Sequence, residues 1–129
     1  MNNNTYIKEI TVSPSQLACS MKSGTLEVFA TPALVALMEE TAMDSIADTL
    51  EEGITTVGTK INIEHLAASP LGAVIRCEST LVEQDGRRYV FDVAAYEGDE
   101  LIGRGQHERF AIKIDRFMAK VDAKKEKHS

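Results

Sequence analysis

The chain has 129 residues, 43% hydrophobic and 26% charged, which is typical of one folded domain and excludes a disordered or collagen-like chain. Its two cysteines, Cys19 and Cys77, are too few for a disulfide scaffold and favour a reducing, cytoplasmic location. The net charge of −6 argues against a nucleic-acid partner. We expect no signal peptide and no membrane span, since no apolar run approaches the ~18 residues that a span requires.

The first predicted elements are a strand over residues 6–12 and a long helix that starts near Thr31. Threonine followed by proline is a helix-start signal, so we expect Thr31 as the N-cap and Pro32 at the first helical position. Apolar residues then recur with the helical period over residues 32–51. Gly53 is placed to end this helix as its C′ residue.

Beyond Gly53 the hydrophobic pattern changes to a period of two, which predicts four long strands. They cover residues 54–68, 73–82, 88–96 and 101–114. Strands of this length must twist and curl, so we predict an α+β fold in which a curled, antiparallel five-stranded sheet wraps around one central helix. One such domain is expected over residues 1–129.

The segment from about residue 116 is expected to be a frayed helix or a tail. Its lysines alternate with Asp122 and Glu126, which favours a solvated surface over a binding patch. These lysines are Lys120, Lys124, Lys125 and Lys127.

Glu39 interrupts the apolar face of the predicted helix. On a helical wheel it falls between Ile46 and Leu50, whereas Glu40 falls on the polar side. An unpaired carboxylate in a core is costly. Glu39 therefore either reaches water at the edge of the apolar stripe, forms a structural pair, or serves a functional site.

Two further polar residues admit both structural and functional interpretations. His65 shares a strand face with Ile61 and Ile63, and is either a satisfied core histidine or the best available general base. The capping role is sufficient to explain a threonine at position 31. The same hydroxyl could also stabilise negative charge that develops in a reaction at the helix start, and the two roles are compatible. No metal site is predicted, because His65, His107 and His128 lack ligand spacing.

Several segments carry a family likeness in matching order and spacing. They read VFAT at 28–31, LVALME at 34–39, GTKINIEH at 58–65, AASP at 67–70, GQHERF at 105–110 and FMAKV at 117–121. Together they resemble the fluoroacetyl-CoA thioesterase group of hotdog-fold proteins. The resemblance implies a hotdog fold and hydrolysis of an acyl-CoA thioester.

The same resemblance implies which residues form the active site. Catalytic residues of the group fall on Thr31, Glu39 and His65, a backbone-contributing glycine on Gly58, and an active-site arginine on Arg109. The alternative for Arg109 is an ordinary ion pair on the strand surface. No metal or cofactor is implied, since CoA is part of the substrate.

The resemblance also implies a homodimer whose sheets join edge to edge, with residues from both chains completing each pocket. The long helix of one chain would face the histidine strand of its partner. Pairing edges in this way protects an open sheet. Whether dimers associate further into tetramers is left open.

One departure from the group concerns specificity. The phenylalanine-bearing lid segment before the helix is replaced here by residues 21–25, which contain no phenylalanine, and Thr31 is followed by Pro32 rather than glycine. We therefore expect an acyl group other than fluoroacetyl. Two alternative functions stay open: a noncatalytic module that binds acyl-CoA or another small ligand, and a hydratase of enoyl or hydroxyacyl thioesters.

Overall fold

A computed structural model describes residues 5–127; residues 1–4 and 128–129, which include the His128 named above, lie outside the described residues. The strands are β1 (Thr5–Thr11), β2 (Ile54–His65), β3 (Val74–Asp85), β4 (Arg88–Glu97) and β5 (Glu100–Lys113). The α-helices in this part of the chain are α1 (Ala18–Met21), α2 (Thr31–Ile46) and α3 (Ile114–Lys127). No helix among them is long and apolar enough to cross a membrane.

The five strands form one antiparallel sheet in the order β1-β3-β4-β5-β2, which leaves β2 at an edge. Helix α2 contacts every strand of this sheet and buries Leu34, Met38 and Ala42 completely against it. On the sheet side the core includes the fully buried Ile75 and Phe91. The predicted sheet wrapped around one central helix is thus confirmed.

The start of α2 differs from the prediction. Ala30, not Thr31, is the N-cap residue, with an extended backbone (φ −76°, ψ 144°), and its carbonyl accepts the first helical bond from the Leu34 N–H at 3.0 Å. Thr31 is the first helical residue and makes no capping bond. Its hydroxyl is instead bonded to His65, while Pro32 lacks an N–H that would need a cap.

The end of α2 also comes earlier than the prediction. The helix ends at Ile46 and is followed by a 3₁₀ turn over Ala47–Thr49. The Thr49 hydroxyl donates to the Ile46 carbonyl at 2.7 Å, which satisfies a group that a longer helix would use. Gly53 is therefore not a C′ residue; its φ of +86° serves the turn that leads into β2.

The strand pattern is confirmed on the faces that were predicted. Tyr89, Phe91, Val93 and Ala95 of β4 are all buried. In β2 the residues at 61, 63 and 65 are half-buried and their neighbours exposed, although the strand ends at His65 rather than at residue 68. The C-terminal segment is a regular helix, α3, none of whose residues is buried.

Candidate active site

A hydroxyl and an imidazole meet where α2 begins and β2 ends. Thr31 Oγ1 lies 2.7 Å from His65 Nδ1. The entry to the helix is fixed by two backbone bonds, from the Phe29 N–H to the Ser69 carbonyl and from the Ala30 N–H to the Gln16 carbonyl, both 2.8 Å. The Phe29 ring packs edge-on to His65, with centroids 6.5 Å apart. The pair is therefore held in place by its surroundings.

The second ring nitrogen of His65 is not used by the contact with Thr31. Burial lowers the pKa of His65 below its ordinary value of 6.5, and the Ala67 backbone opposes this shift. His65 Nε2 is itself buried and has no hydrogen-bond partner among the described residues. A neutral imidazole has one donor and one acceptor nitrogen, so Nε2 supplies whichever function Nδ1 does not use.

A cavity of about 310 Å³ adjoins this pair. Its wall is built mainly from the small side chains Ala18, Ala30, Ala67 and Ala68, with Val28, Phe29 and Leu66 as the larger ones. Ser23, from the segment 21–25 that precedes α2, also lines it. The cavity next to Thr31 and His65 is therefore bounded mainly by alanines, with a serine from this segment.

A second group of residues surrounds Gly58. A Cβ placed on Gly58 would lie 3.1 Å from His107 Cε1, 3.2 Å from Glu39 Oε2 and 3.4 Å from Arg109 Nη1. Because glycine has no side chain, these three groups can approach the Gly58 backbone closely, and a methyl group there would have to displace them. Glu39 is half-buried on α2 and its carboxylate is one of the groups that lie against Gly58.

Arg109 is held rigidly in this second group. It is 6% exposed, and its Nε and Nη2 donate to the hydroxyl and the carbonyl of Thr56 at 2.8 and 2.9 Å. Its Nη1 lies 3.1 Å from His107 Nε2. Burial lowers the pKa of Arg109, and the attraction of Glu39 opposes this shift. The expected alternative of a surface ion pair is therefore wrong for Arg109.

His107 completes the network around Arg109. It is 1% exposed, and its Nδ1 lies 2.9 Å from the Lys60 carbonyl, which can only accept. His107 Nδ1 therefore carries the hydrogen, and Nε2 accepts from Arg109. Burial lowers the pKa of His107, the Lys60 carbonyl raises it, Arg109 lowers it further and Glu39 raises it.

The five predicted site residues thus fall into two groups within one chain. Thr31 and His65 form one pair, and Glu39, Gly58 and Arg109 lie together at the other group. Eight residues of helix separate Thr31 from Glu39, about 12 Å along the axis. The structure does not bring the two groups together in a single chain.

Sequence reasoning considered His107 only as a metal ligand and missed its contact with Arg109. The available signal was its spacing, since residues two apart on a strand share a face. No group of three or more potential metal ligands occurs among residues 5–127.

The sheet curled around one helix, with polar groups beside the helix and at the edge strand, defines a hotdog-fold protein. The family model described as fluoroacetyl-CoA-specific thioesterase matches residues 12–115. The chain belongs to this family, and is accordingly a thioesterase of the hotdog superfamily that acts on acyl-CoA thioesters.

Individual relatives agree with this assignment. The fluoroacetyl-CoA thioesterase of Streptantibioticus cattleyicolor is 41% identical over 98 residues, which are 76% of this chain and 70% of that protein. A solved structure of a fluoroacetyl-CoA thioesterase has a TM-score of 0.89 and 33% identity over 93% of both chains. A mutant fluoroacetyl-CoA thioesterase in complex with fluoroacetate and CoA has a TM-score of 0.84 and 32% identity, covering 88% of this chain and 95% of that one.

Proposed function

We propose that this enzyme hydrolyses an acyl-CoA, with an acyl group other than fluoroacetyl, through Thr31, Glu39 and His65. The observation that carries the proposal is the Glu39 carboxylate, which is half-buried beside the Gly58 backbone and forms no ion pair with any described residue. A half-buried carboxylate that served only the fold would be paired. The unpaired carboxylate of Glu39 is therefore a candidate to act on a substrate carbon or on a water.

The reaction adds water across the thioester. An oxygen forms a bond to the carbonyl carbon, the carbon–sulfur bond breaks, and the departing CoA thiolate takes a proton. Glu39 serves either as the attacking oxygen, giving an acyl-enzyme anhydride that water then cleaves, or as the base that activates water. His65 orients the water or relays the proton through Nε2, and Thr31 fixes the imidazole at Nδ1.

Gly58 and Arg109 position the substrate in this scheme. The missing side chain at Gly58 lets Glu39 and Arg109 lie close to the backbone of β2, and the N–H of Gly58, or one at the start of α2, would hold the oxyanion. Arg109 attracts the Glu39 carboxylate and is itself oriented by Thr56 and His107. Hydrolysis by these groups requires neither a metal nor a redox cofactor.

The separation of the two groups supports a homodimer with shared sites. Strand β2 carries Gly58 and His65 and lies at the edge of the sheet. Antiparallel pairing of two β2 strands centred on Asn62 would place Lys60 opposite the partner's Glu64, a favourable cross-strand charge pair. The bulge between Gly58 and Lys60 shifts the register by one residue, so Gly58 would then lie opposite the partner's His65. Each pocket would combine Glu39 of one chain with Thr31 and His65 of the other.

The expected substrate differs from fluoroacetyl-CoA because of the lid segment. Where the resembling group has phenylalanines, residues 21–25 of this chain supply Ser23 to the cavity beside His65. The alanine-lined wall leaves room for an acyl group larger than a two-carbon one. We therefore expect no preference for fluoroacetyl-CoA over acetyl-CoA.

A panel of acyl-CoA thioesters, with release of the CoA thiol as the readout, tests the proposal. It should include acetyl, fluoroacetyl, branched short-chain, medium-chain and aryl thioesters. Hydrolysis of at least one thioester in preference to fluoroacetyl-CoA is expected. Tight binding without thiol release would support the noncatalytic module, and hydration of crotonyl-CoA without thiol release would support the hydratase. Strong selectivity for fluoroacetyl-CoA would contradict the assigned acyl class.

A further inference from the structure

A second cavity lies where β5 runs into α3, away from the Thr31–His65 pair. It has a volume of about 260 Å³. Four of its lining side chains are basic and two are apolar: Arg87, Lys113, Arg116 and Lys120, with Ile112 and Phe117. We call this cavity the basic groove.

The basic groove concentrates positive charge in an acidic protein. The chain has 20 acidic and 14 basic residues, yet no acidic side chain lines the groove. None of its four basic residues forms an ion pair with any acidic residue in the described part of the chain. Five basic side chains elsewhere among the described residues do form ion pairs: Lys8, Arg76, Arg88, Arg104 and Lys125, the last with Asp122 at 3.6 Å. Mutual repulsion makes such a cluster unfavourable unless an anion occupies it.

The apolar residues of the groove suit an aromatic base. Phe117 is 37% exposed, so part of its ring is open to a ligand, and Ile112 lies beside it in the groove wall. Lysine and arginine side chains are the usual ligands of phosphate groups, and aromatic side chains stack with nucleobases. The combination fits a nucleotide that carries several phosphates.

We propose that the basic groove binds the 3′-phosphorylated ADP end of CoA, an inference that rests on the proposed function. Lys113 lies four residues beyond Arg109 on β5, on the same strand face and about 13 Å along it. The two residues pair with Ile54 and Gly58 of β2, respectively. The pantetheine arm would therefore run along the β2–β5 ribbon from Gly58 to the groove.

This assignment changes the interpretation of the C-terminal lysines. The alternation of charges predicted a solvated surface for all of them. In the structure Lys120 lines the groove, whereas Lys124 and Lys127 lie outside it on the same helix. The first half of the exposed helix α3 thus lines the groove, and its C-terminal half lies beyond it.

Charge reversal on α3 tests the inference by comparing two substrates. The double variant Arg116→Glu/Lys120→Glu is assayed with an acyl-CoA and with the same acyl group on pantetheine, which lacks the nucleotide. The ratio of kcat/KM for acyl-CoA to that for acyl-pantetheine should fall at least about tenfold, through KM. The control Lys124→Glu/Lys127→Glu makes the same charge change outside the groove and should keep the wild-type ratio. An unaltered ratio in the first variant would overturn the inference.

Direct binding separates this inference from the proposed function. Adenosine 3′,5′-bisphosphate and CoA are titrated calorimetrically into the wild type, the groove variant and the control. Both ligands should bind the wild type and the control, and should bind the groove variant at least about tenfold more weakly. If this binding pattern is observed but no thioester is hydrolysed, the groove assignment is supported and the proposed reaction is contradicted. Equal affinity in all three proteins, or no binding to the wild type, refutes the groove assignment.

Discussion

The hydroxyl of Thr31 and Nδ1 of His65 lie 2.7 Å apart, joining the first residue of α2 to the last residue of β2. The bond fixes the imidazole plane and leaves Nε2 as its free polar atom. It also explains why Thr31 does not cap the helix that it begins.

Replacing Thr31 separates this positioning role from simple packing. Thr31→Val keeps the shape of the side chain and removes the hydroxyl, so kcat should fall by about 10²-fold while the protein stays folded. Thr31→Ser retains the hydroxyl and should keep most of the activity. Steady-state kinetics with thiol detection, together with thermal unfolding, measures both effects. Equal kcat values for the valine variant and the wild type would remove Thr31 from the mechanism.

Two adjacent glutamates on α2 provide a test variant and a matched control for the proposed catalytic carboxylate. Glu39 lies against Gly58, whereas Glu40 points outward and pairs with Lys8 at 3.5 Å. Glu39→Gln should lower kcat by about 10²–10⁴-fold, since the amide neither attacks nor takes a proton. Glu40→Gln should have near wild-type kcat. Similar kinetics for the two variants would show that the half-buried carboxylate is not catalytic.

Shared sites can be tested by mixing two inactive variants. Consider a mixed dimer of one Glu39→Gln chain and one His65→Ala chain. If each pocket combines Glu39 of one chain with His65 of the other, one pocket carries both substitutions and the other carries neither. After unfolding and joint refolding, the mixture should recover about one quarter of wild-type activity, because half of the dimers are mixed and each has one intact pocket. Each variant refolded alone serves as the control. If each pocket came from one chain, mixing would restore nothing.

A methyl group at Gly58 should impair the reaction with little effect on folding. The added methyl group of Gly58→Ala would lie 3.1–3.4 Å from three neighbours, so it displaces Glu39 and Arg109 slightly from the positions proposed for the reaction. We expect kcat/KM to fall at least about tenfold, with cooperative unfolding retained. Thr59→Ala, on the adjacent exposed residue, is the control. A fully active Gly58→Ala enzyme would place the thioester elsewhere.

The pH profile should reflect the shifted imidazole. The pKa of His65 is lowered by burial from 6.5, so the ring stays neutral at pH values where an ordinary histidine is half protonated. Activity that needs neutral His65 is present above its pKa and is lost as the pH falls through it. The acidic limb of kcat/KM should therefore have its midpoint below pH 6.5. A midpoint above that value would contradict the assignment of His65.

The hydrophobic pattern predicted the architecture because each element buries one face. Alternation in β4 predicted its buried residues, and the helical period placed Glu39 within the apolar face of α2, where it is half-buried. The limits of α2 were less predictable. Side-chain bonds that reach across the fold or compete locally, at Thr31 and Thr49, determine where that helix starts and stops.

Contacts between distant residues could not be predicted from spacing. His107 and Lys60 are 47 residues apart in the sequence and meet only through the register of β2 with β5. The bulge between Gly58 and Lys60 sets which residues face Arg109. The family resemblance supplied Gly58 and Arg109 as candidates; the spacing of His107 and Arg109 indicated a shared face, and the folded sheet shows the contact between them.

The edge position of β2 has a consequence for how the enzyme must be assayed. If the strand that carries Gly58 and His65 completes its pockets only against a second copy, then turnover per chain depends on protein concentration. Specific activity should fall on dilution, with its midpoint at the dissociation constant of the dimer. A substrate held by both chains favours the assembled state by mass action. Acyl-CoA should therefore protect the enzyme from inactivation by dilution.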